Sequence, residues 1–364
     1  MPTDTPEPYT AVWLAAEGRA GGPSRAPAGV AGDAPGLRPD DVLVLRALGL
    51  GDALTAVAAL RGLRRLAPDR RLVLAGPPGT GHLLRALGVV DEVLPLAGLV
   101  SLPAVPAGMT AVNLHGRGPA SHRLLQAARP QRLIAFASPE ARHDGPAWRA
   151  DEHEVDRWCR LVRHAGADCS RADLRLRPRA EADADRAARS GAGAVVLHPG
   201  AASAARHWPV DRWRQVASAL AADGHAVLVT GSAAEAGLGR AVARGLAGVE
   251  DRTGHHTLDG LSALVRDADL VLSADTGVAH LATGWCVPSV VLFGPVPPAR
   301  WGPAIDPDLH EVLWHGDPEA GSWGDPHADR LDPLLGRVSV DEVLAAAGRQ
   351  LDNSLVSGRT HREP

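Results

Sequence analysis

Residues 270–295 read LVLSADTGVAHLATGWCVPSVVLFGP, and this stretch decides the fold of the chain. A short apolar run leads through Asp-Thr-Gly into a segment with apolar residues at helical spacing, and a second apolar run follows. A buried strand, a glycine turn, a helix and another buried strand make a βαβ unit, which builds a parallel sheet. Such sheets bind ligands at the carboxyl ends of their strands. We therefore expect an α/β fold with a ligand site at residues 275–277.

The same pattern of strand, glycine turn and helix recurs along the rest of the chain. In the second half, AVVLHPG at 194–200 and AVLVTG at 226–231 are strand candidates, and each precedes a helical segment. The first half opens with VLVLRALGLGD at 42–52, a helix that extends to about residue 67, and a second strand, RLVLAG, at 71–76. Two such series predict two Rossmann-like, doubly wound domains that face a central cleft.

The domain boundaries follow from length and from changes in composition. A chain of 364 residues is too long for one ordinary domain and suits two, each with its own core. Residues 1–39 are rich in Pro, Gly and Ala without periodicity, which predicts a disordered N-terminal tail. We expect the first domain at 40–178 and a charged, alanine-rich linker at 179–192. The second domain is expected at 193–350 and a C-terminal tail at 351–364.

Composition argues against several classes of function. The formal net charge of -4 gives no overall attraction to nucleic acid. No apolar run reaches the roughly 18 residues of a spanning helix, so we expect at most peripheral membrane contact. The three cysteines lack the spacing of a zinc site or a disulfide framework, which favours a reducing cytoplasm. The chain has no lysine, so a phosphate-binding cation must be arginine.

The Asp-Thr-Gly turn has the features of a phosphate site. It places Asp275, Thr276 and Gly277 at a helix start, where free N–H groups and the positive end of the helix dipole suit a pyrophosphate. His280 follows Thr276 by four residues and projects from the same helix face. The ordinary alternative is that Asp275 or Thr276 only caps the helix and that His280 is a partly buried surface group.

Two further residues indicate a charged ligand. Arg206 lies in a polar loop after the strand at 194–200, and its planar guanidinium can bind two phosphate oxygens at once. Asp52 stands at a strand-to-helix turn of the first domain. Alone, Arg206 is as well explained as a solvated loop charge, and Asp52 as an ordinary helix cap.

Two other motifs are misleading. GPPGTGH at 76–82 looks like a phosphate-binding loop, but His82 and Leu83 replace the required Lys and Ser/Thr, so we interpret it as a glycine turn at a helix start. Asp267 and Asp269 have the spacing of a metal-binding pair but lie between a helix end and a strand. We therefore predict no metal.

These elements, in this order, resemble the ADP-heptose:lipopolysaccharide heptosyltransferases, GT-B enzymes of glycosyltransferase family 9. The resemblance covers nearly everything from about residue 41 to 347. The family's Gly-Asp turn matches Gly51 and Asp52, and its phosphate-contacting lysine before Trp-Pro matches Arg206. Its Asp-Thr/Ser-Gly-x-x-His motif, with the Pro and Phe/Tyr-Gly-Pro that follow, matches Asp275, Thr276, Gly277, His280, Pro288, Phe293, Gly294 and Pro295.

The resemblance implies a GT-B fold and an inverting, metal-independent glycosyltransferase. Such an enzyme moves a heptose or related sugar from a nucleotide diphosphate donor, here ADP-linked, to a hydroxyl of a glycan, glycolipid or small-molecule acceptor. Asp52 is then the general base, and Arg206 with the helix start at Thr276 stabilises the leaving diphosphate.

The remaining donor contacts are assigned to four residues. Asp275 and His280 are expected to hold the donor sugar and phosphates, while Glu235 and His256 are candidates for the nucleoside end. The nucleotide sugar is a substrate, and no cofactor is expected.

The loop NLHGRGPASHR at 113–123 is a candidate acceptor site. It follows a strand, its glycines allow close approach, and it offers His115, Arg117, Ser121 and His122. The alternative is a loop with chance polar residues.

We expect a monomeric bacterial enzyme of the cytoplasm, working at the inner face of the membrane on a nucleotide-sugar donor and a separate acceptor. Two alternatives remain open, because a fold does not dictate chemistry. One is a nucleotide-sugar epimerase or hydrolase on the same fold, and the other is a non-catalytic nucleotide-sugar-binding protein.

Overall fold

The computed structural model describes residues 36–103, 105–106, 108–189, 193–319 and 323–359. The tail predicted at 1–39 lies outside the described residues except for 36–39. The chain divides into two compact units, Met1–Asp173 and Leu174–Pro364.

The first unit contains a five-stranded parallel sheet. Its strands are β1 (Val42–Leu45), β2 (Leu72–Gly76), β3 (Glu92–Pro95), β4 (Thr110–Asn113) and β5 (Arg132–Ile134). Their order is β3-β2-β1-β4-β5, and every neighbouring pair is parallel. The central strands β1 and β2 are buried along their whole length, as expected of strands that are covered on both faces.

The strand order of this sheet changes direction between β1 and β4. Open parallel sheets bind ligands outside the carboxyl ends of the strands at such a switch point. The segment from Arg46 to Asp52 follows β1, and His115 follows β4. The two candidate segments of this unit therefore leave the sheet where its topology favours a ligand.

One helix of the first unit differs from the sequence prediction. They are α1 (Leu50–Thr55), α2 (Val57–Leu66), α3 (Pro78–Ala86), α4 (Ala120–Ala127) and α5 (Glu154–His164). The helix expected to run unbroken to about residue 67 is interrupted at Ala56. At the predicted glycine turn, β2 ends at Gly76 and α3 begins at Pro78. A side chain at Gly81 would collide with Val93, so this glycine serves packing.

The second unit contains a six-stranded parallel sheet. Its strands are β6 (Val195–His198), β7 (Val227–Val229), β8 (Val249–Asp251), β9 (Leu270–Ala274), β10 (Ser289–Leu292) and β11 (His310–Leu313). Their order is β11-β10-β9-β6-β7-β8, with parallel neighbours throughout. This is the doubly wound Rossmann order, and its switch point lies between β6 and β9.

The helices of the second unit include the predicted series. They are α6 (Arg179–Arg189), α7 (Val210–Ala222), α8 (Ala236–Ala243), α9 (Leu258–Arg266), α10 (Gly277–Trp285), α11 (Pro298–Trp301), α12 (Pro333–Arg337) and α13 (Val340–Arg359). Trp208 and Trp213 pack edge-to-face in the core, with ring centroids 4.9 Å apart. Trp208 Nε1 also donates to the Val338 carbonyl at 3.0 Å. The Trp-Pro pair therefore anchors the loop that carries Arg206.

The boundaries of the second unit differ from those expected. The segment predicted as a linker at 179–192 contains α6, and α13 extends to Arg359, into the predicted C-terminal tail. Helix α6 packs against α13. Ala182 is fully buried, and Arg186 donates to the Cys286 carbonyl at 3.2 Å. An alanine-rich, charged segment looks like a linker in sequence, yet here its small side chains allow close helix packing.

Residues from the beginning of the second unit and from its last helix contact the same turn, residues 306–308. Arg175 forms a two-pronged ion pair with Asp306, at 2.7 and 3.0 Å. Arg179 donates to Asp308 Oδ1 at 2.9 Å. From α13, Gln350 Nε2 donates to the Asp308 carbonyl at 3.4 Å.

Within the described ranges, every helix is too short or too polar to cross a membrane.

Candidate active site

Asp52 lies in the first turn of α1, just beyond the carboxyl end of β1. The residue is 6% exposed. Arg46 Nε donates to the Asp52 carbonyl at 2.9 Å, and Arg46 Nη2 lies 3.5 Å from Asp52 Oδ1. Gly49, not Asp52, is the N-cap residue of α1. Asp52 is therefore held by a buried cation, which the ordinary capping interpretation does not explain.

In the predicted acceptor loop, Ser121 and His122 are committed to internal contacts. Asn113 Nδ2 donates to Ser121 Oγ at 2.9 Å and lies 3.0 Å from His122 Nδ1. His122 Nε2 lies 2.8 Å from the Phe136 carbonyl. A carbonyl only accepts, so these contacts fit a neutral ring that carries its proton on Nε2. Burial lowers the pKa of His122 and favours this neutral form.

His115 and Arg117 occupy different positions in the same loop. His115 is 8% exposed, and burial, with a smaller effect of the Arg46 charge, lowers its pKa to about 3. Among the described residues, its Nδ1 has no hydrogen-bond partner. Arg117 is exposed. Of the four residues predicted to bind acceptor, these two retain groups that can contact a ligand.

In the second unit, Asp275 and Thr276 form the turn between β9 and α10. Thr276 is the N-cap residue of α10, with φ -143 and ψ 173, yet its side chain makes no capping hydrogen bond. Its Oγ1 is buried and has no hydrogen-bond partner in the described part of the chain. The hydroxyl and the first N–H groups of α10 can therefore bind an anion together.

Arg206 ends a short 3₁₀ turn, Ala204–Arg206, and is 6% exposed. Its Nη1 donates to the Asp275 carbonyl at 3.0 Å, and its Nε lies 3.4 Å from Ser203 Oγ. A solvated loop charge would show neither burial nor these contacts. Arg206 is instead a fixed cation beside the N-terminus of α10.

The other predicted donor residues lie in different environments within the second unit. His280, one turn into α10, is half-buried, and its ring centroid lies 6.1 Å from that of Trp301. Glu235 Oε2 accepts from Ser232 N at 2.7 Å and from Ser232 Oγ at 2.8 Å. A side chain at Gly200 would collide with Glu235, so the loops after β6 and β7 are in contact. His256 is exposed on the turn before α9.

Sequence reasoning missed two titratable groups near these residues. Glu154 begins α5, and its Oε1 lies 3.3 Å from Arg46 Nη2. An acid in the first turn of a helix is common for its dipole alone, so the sequence carries no signal for this contact.

The second missed group is His327. The flanking Pro326 carbonyl accepts from Ser203 Oγ, and the Ala328 carbonyl accepts from Ala205 N at 3.1 Å. This pairing places His327 beside the Arg206 turn, where burial, with a smaller effect of the Arg206 charge, lowers its pKa.

The remaining titratable residues show no shared metal site. Across the described ranges, no three His, Cys, Asp or Glu side chains gather as a metal-ligand group. Asp267 pairs with Arg266 at 2.8 Å. All three cysteines are free and buried. The neighbouring Cys169 thiol, together with burial, raises the pKa of Cys159.

Comparisons with solved structures show the fold. The glycosyl transferase family 9 structure from Veillonella parvula has a TM-score of 0.68 at 19% identity, covering 87% of this chain and 98% of that one. The Escherichia coli heptosyltransferase WaaC with ADP has a TM-score of 0.61 at 16% identity, covering 87% and 99%. These are GT-B proteins, so the predicted GT-B fold of two Rossmann-like units is confirmed.

Sequence comparison identifies the family. Lipopolysaccharide heptosyltransferase 1 of Pseudomonas aeruginosa is 36% identical over 124 residues. That match spans 33% of this chain and 33% of the relative, so the two correspond over only a third of the relative's length. The model of glycosyltransferase family 9 (heptosyltransferase) matches residues 119–316, more than half of the chain. The chain therefore belongs to glycosyltransferase family 9, the heptosyltransferase family.

Proposed function

We propose that the protein is an inverting glycosyltransferase that needs no metal. It moves a heptose or a related sugar from a nucleoside diphosphate donor, with ADP as the leaving group, to a hydroxyl of a glycan, glycolipid or small-molecule acceptor. Family membership supports the reaction class, and the ADP bound to the solved E. coli relative supports the choice of nucleotide.

One observation carries the proposal. In the second unit, an uncommitted threonine hydroxyl, the N-terminus of a nine-residue helix and a buried arginine meet at one sheet edge. A diphosphate fits this set because it needs several hydrogen-bond donors and positive charge at close range. Arg206 supplies a fixed cation that can offset the charge developing on the leaving diphosphate.

The proposed base lies in the first unit, and the proposed donor site lies in the second. Asp52 takes the proton of the acceptor hydroxyl as that oxygen forms a bond to the anomeric carbon. The bond from the anomeric carbon to the diphosphate oxygen breaks, and its electron pair leaves with ADP. Attack opposite the leaving group inverts the anomeric configuration. Arg206, Thr276 and the N–H groups of α10 stabilise the departing charge.

We expect Asp52→Asn to abolish transfer and spare ADP binding. Asparagine keeps the size of the side chain and leaves the backbone contact from Arg46 Nε intact, so folding should be little affected. General-base assistance is worth about 10²- to 10⁴-fold in rate. Product should be measured by mass spectrometry with ADP-heptose and a panel of acceptors, and ADP binding by calorimetry.

Ser170→Ala, in an exposed turn of the same unit, is the matched control and should behave as wild type. Full turnover in Asp52→Asn would exclude Asp52 as the base. Release of the sugar in the absence of acceptor would identify a hydrolase. Metal independence would be contradicted if EDTA abolished activity and magnesium restored it.

A further inference from the structure

The first unit buries a cluster of four charged side chains, with Arg46 at its centre. Arg46 Nη2 lies 3.5 Å from Asp52 Oδ1, 3.3 Å from Glu154 Oε1 and 3.2 Å from Thr55 Oγ1. Glu154 Oε2 accepts from Arg157, and Glu154 Oε1 accepts from Trp158 Nε1 at 2.8 Å. We call Arg46, Asp52, Glu154 and Arg157 the Arg46 cluster.

Glu154 is the carboxylate of this cluster whose two oxygens are both engaged. Glu154 is 4% exposed, and both of its oxygens are hydrogen-bonded to neighbouring side chains. It therefore has no free oxygen for a substrate. Glu154 can therefore affect a reaction at Asp52 only through its charge and through Arg46, the cation that the two carboxylates share.

We propose that Glu154 is a positioning residue that shares the charge of Arg46, so that Asp52 stays basic enough to accept a proton. The inference rests on the proposed role of Asp52 as general base. Glu154 draws the Nη2 end of Arg46 toward α5, while Arg46 Nε remains on the Asp52 carbonyl and fixes α1.

Glu154 and Arg46 should affect the basicity of Asp52 because the dielectric around the cluster is low. Arg46 is 1% exposed, so little water screens its charge from either carboxylate. Without the Glu154 charge, the attraction of Arg46 would fall on Asp52 alone, stabilise its ionised form and weaken it as a base. Without the Arg46 charge, Asp52 would lose the neighbouring cation that stabilises its ionised form, and its protonated form would be favoured.

The other titratable groups around Asp52 do not reverse this balance. Arg157 and His153 accompany Glu154 at the start of α5, and Arg157 is engaged with the far oxygen of Glu154. His115 approaches from the loop after β4, and it is neutral at working pH because burial and Arg46 lower its pKa to about 3. Two cations, Arg46 and Arg157, and one carboxylate, Glu154, are therefore the charged neighbours of Asp52 in the Arg46 cluster.

The test compares pH–rate profiles of the full-length protein. In Glu154→Gln, the acid limb of kcat should move to lower pH by about one unit, since one neighbouring charge shifts a carboxylate by that order. The plateau kcat should fall because the base is weaker, and KM should change little. In Arg46→Gln, the acid limb should move to higher pH. Glu154→Asp keeps the charge farther from Arg46, so it should shift the limb as Glu154→Gln does, but less.

The matched control is Glu152→Gln, two residues earlier in the chain. Glu152 pairs with Arg160 at 2.7 Å rather than with Arg46, so the same loss of charge should leave the acid limb in place. An unmoved acid limb in both Glu154 variants, or shifts of the same sign for Glu154→Gln and Arg46→Gln, would overturn the inference. If Asp52→Asn retained turnover, the proposed base itself would be wrong, which is a separate result.

Discussion

Thr276 is the residue at which a structural and a functional role are most easily separated. The residue begins α10, but its hydroxyl makes no capping bond and has no partner among the residues described. We expect Thr276→Ala to weaken ADP binding about tenfold or more, because a hydrogen bond to a charged group is worth about 1.5–3 kcal/mol. The melting temperature should stay near wild type. Calorimetric titration and thermal unfolding measure the two quantities.

Thr257 provides the matched control for this prediction. It begins α9, and its Oγ1 accepts from Gly260 N at 3.2 Å. Thr257→Ala should therefore cost about 1 kcal/mol of stability, as lost N-caps do, and leave ADP affinity unchanged. If Thr276→Ala behaved like Thr257→Ala, Thr276 would be an ordinary cap.

At the scale of elements, the segment 323–332 brings a titratable group to the proposed donor site. His327 has a lowered pKa in the free protein because of burial and Arg206, with Asp325 acting in the opposite direction. A bound diphosphate adds negative charge and raises that pKa again, so the complex holds more protons than the free protein. ADP affinity should therefore rise as pH falls through the pKa of His327 in the complex and level off below its lowered pKa in the free protein, with a slope of up to about tenfold per pH unit.

His327→Gln should flatten this pH dependence, and calorimetry in buffers of different ionisation enthalpy should no longer detect proton uptake at His327. Protonation of the diphosphate itself is common to both proteins and cancels in the comparison. The same pH slope in His327→Gln would place the titrating group elsewhere, for example at the buried His198.

The sequence predicted the central strands but not the edges of the second sheet. β6 and β9 are fully buried runs of apolar residues, so periodicity finds them. β8 has three residues, two of them acidic, and β11 has His and Glu before its two apolar residues, Val and Leu. Edge strands are short and carry charges, which limits unwanted pairing with other chains, and these properties remove the signal of a strand.

The residues of the candidate active site could be predicted from the sequence where they lie at strand ends. Asp52, Arg206 and Thr276 each follow a buried strand, so the parallel topology groups them with the sheet edges. Glu154 and His327 come from a distant helix and an irregular segment, and only tertiary packing brings them near Arg46 and Arg206. For Ser121 and His122, the sequence offered polar groups at a strand end, but it could not tell that they bond to Asn113.

At the scale of the whole molecule, the corrected boundary changes which fragment should fold. A fragment of residues 174–364 keeps α6, Arg175 and Arg179, whereas one that begins at residue 193 loses their contacts with Asp306 and Asp308. Asp306 is 8% exposed, and leaving a buried charge unpaired costs about 3–5 kcal/mol.

We therefore expect the longer fragment to unfold cooperatively and bind ADP, and the shorter one to be markedly less stable. Urea titration followed by tryptophan fluorescence compares them, with Trp208 and Trp213 as core reporters. Equal stability of the two fragments would mean that α6 is dispensable.

The shared turn at residues 306–308 has a consequence for the architecture of the second unit. Arg179, near its beginning, and Gln350, near its end, both bond to Asp308. Domains whose two ends adjoin tolerate circular permutation and insertion into surface loops of other proteins. A peptide long enough to reach from the last turns of α13 back to Arg175 could join the two ends, and new ends could be opened in an exposed loop remote from Arg206 and Thr276. The second unit is in this sense a transferable module.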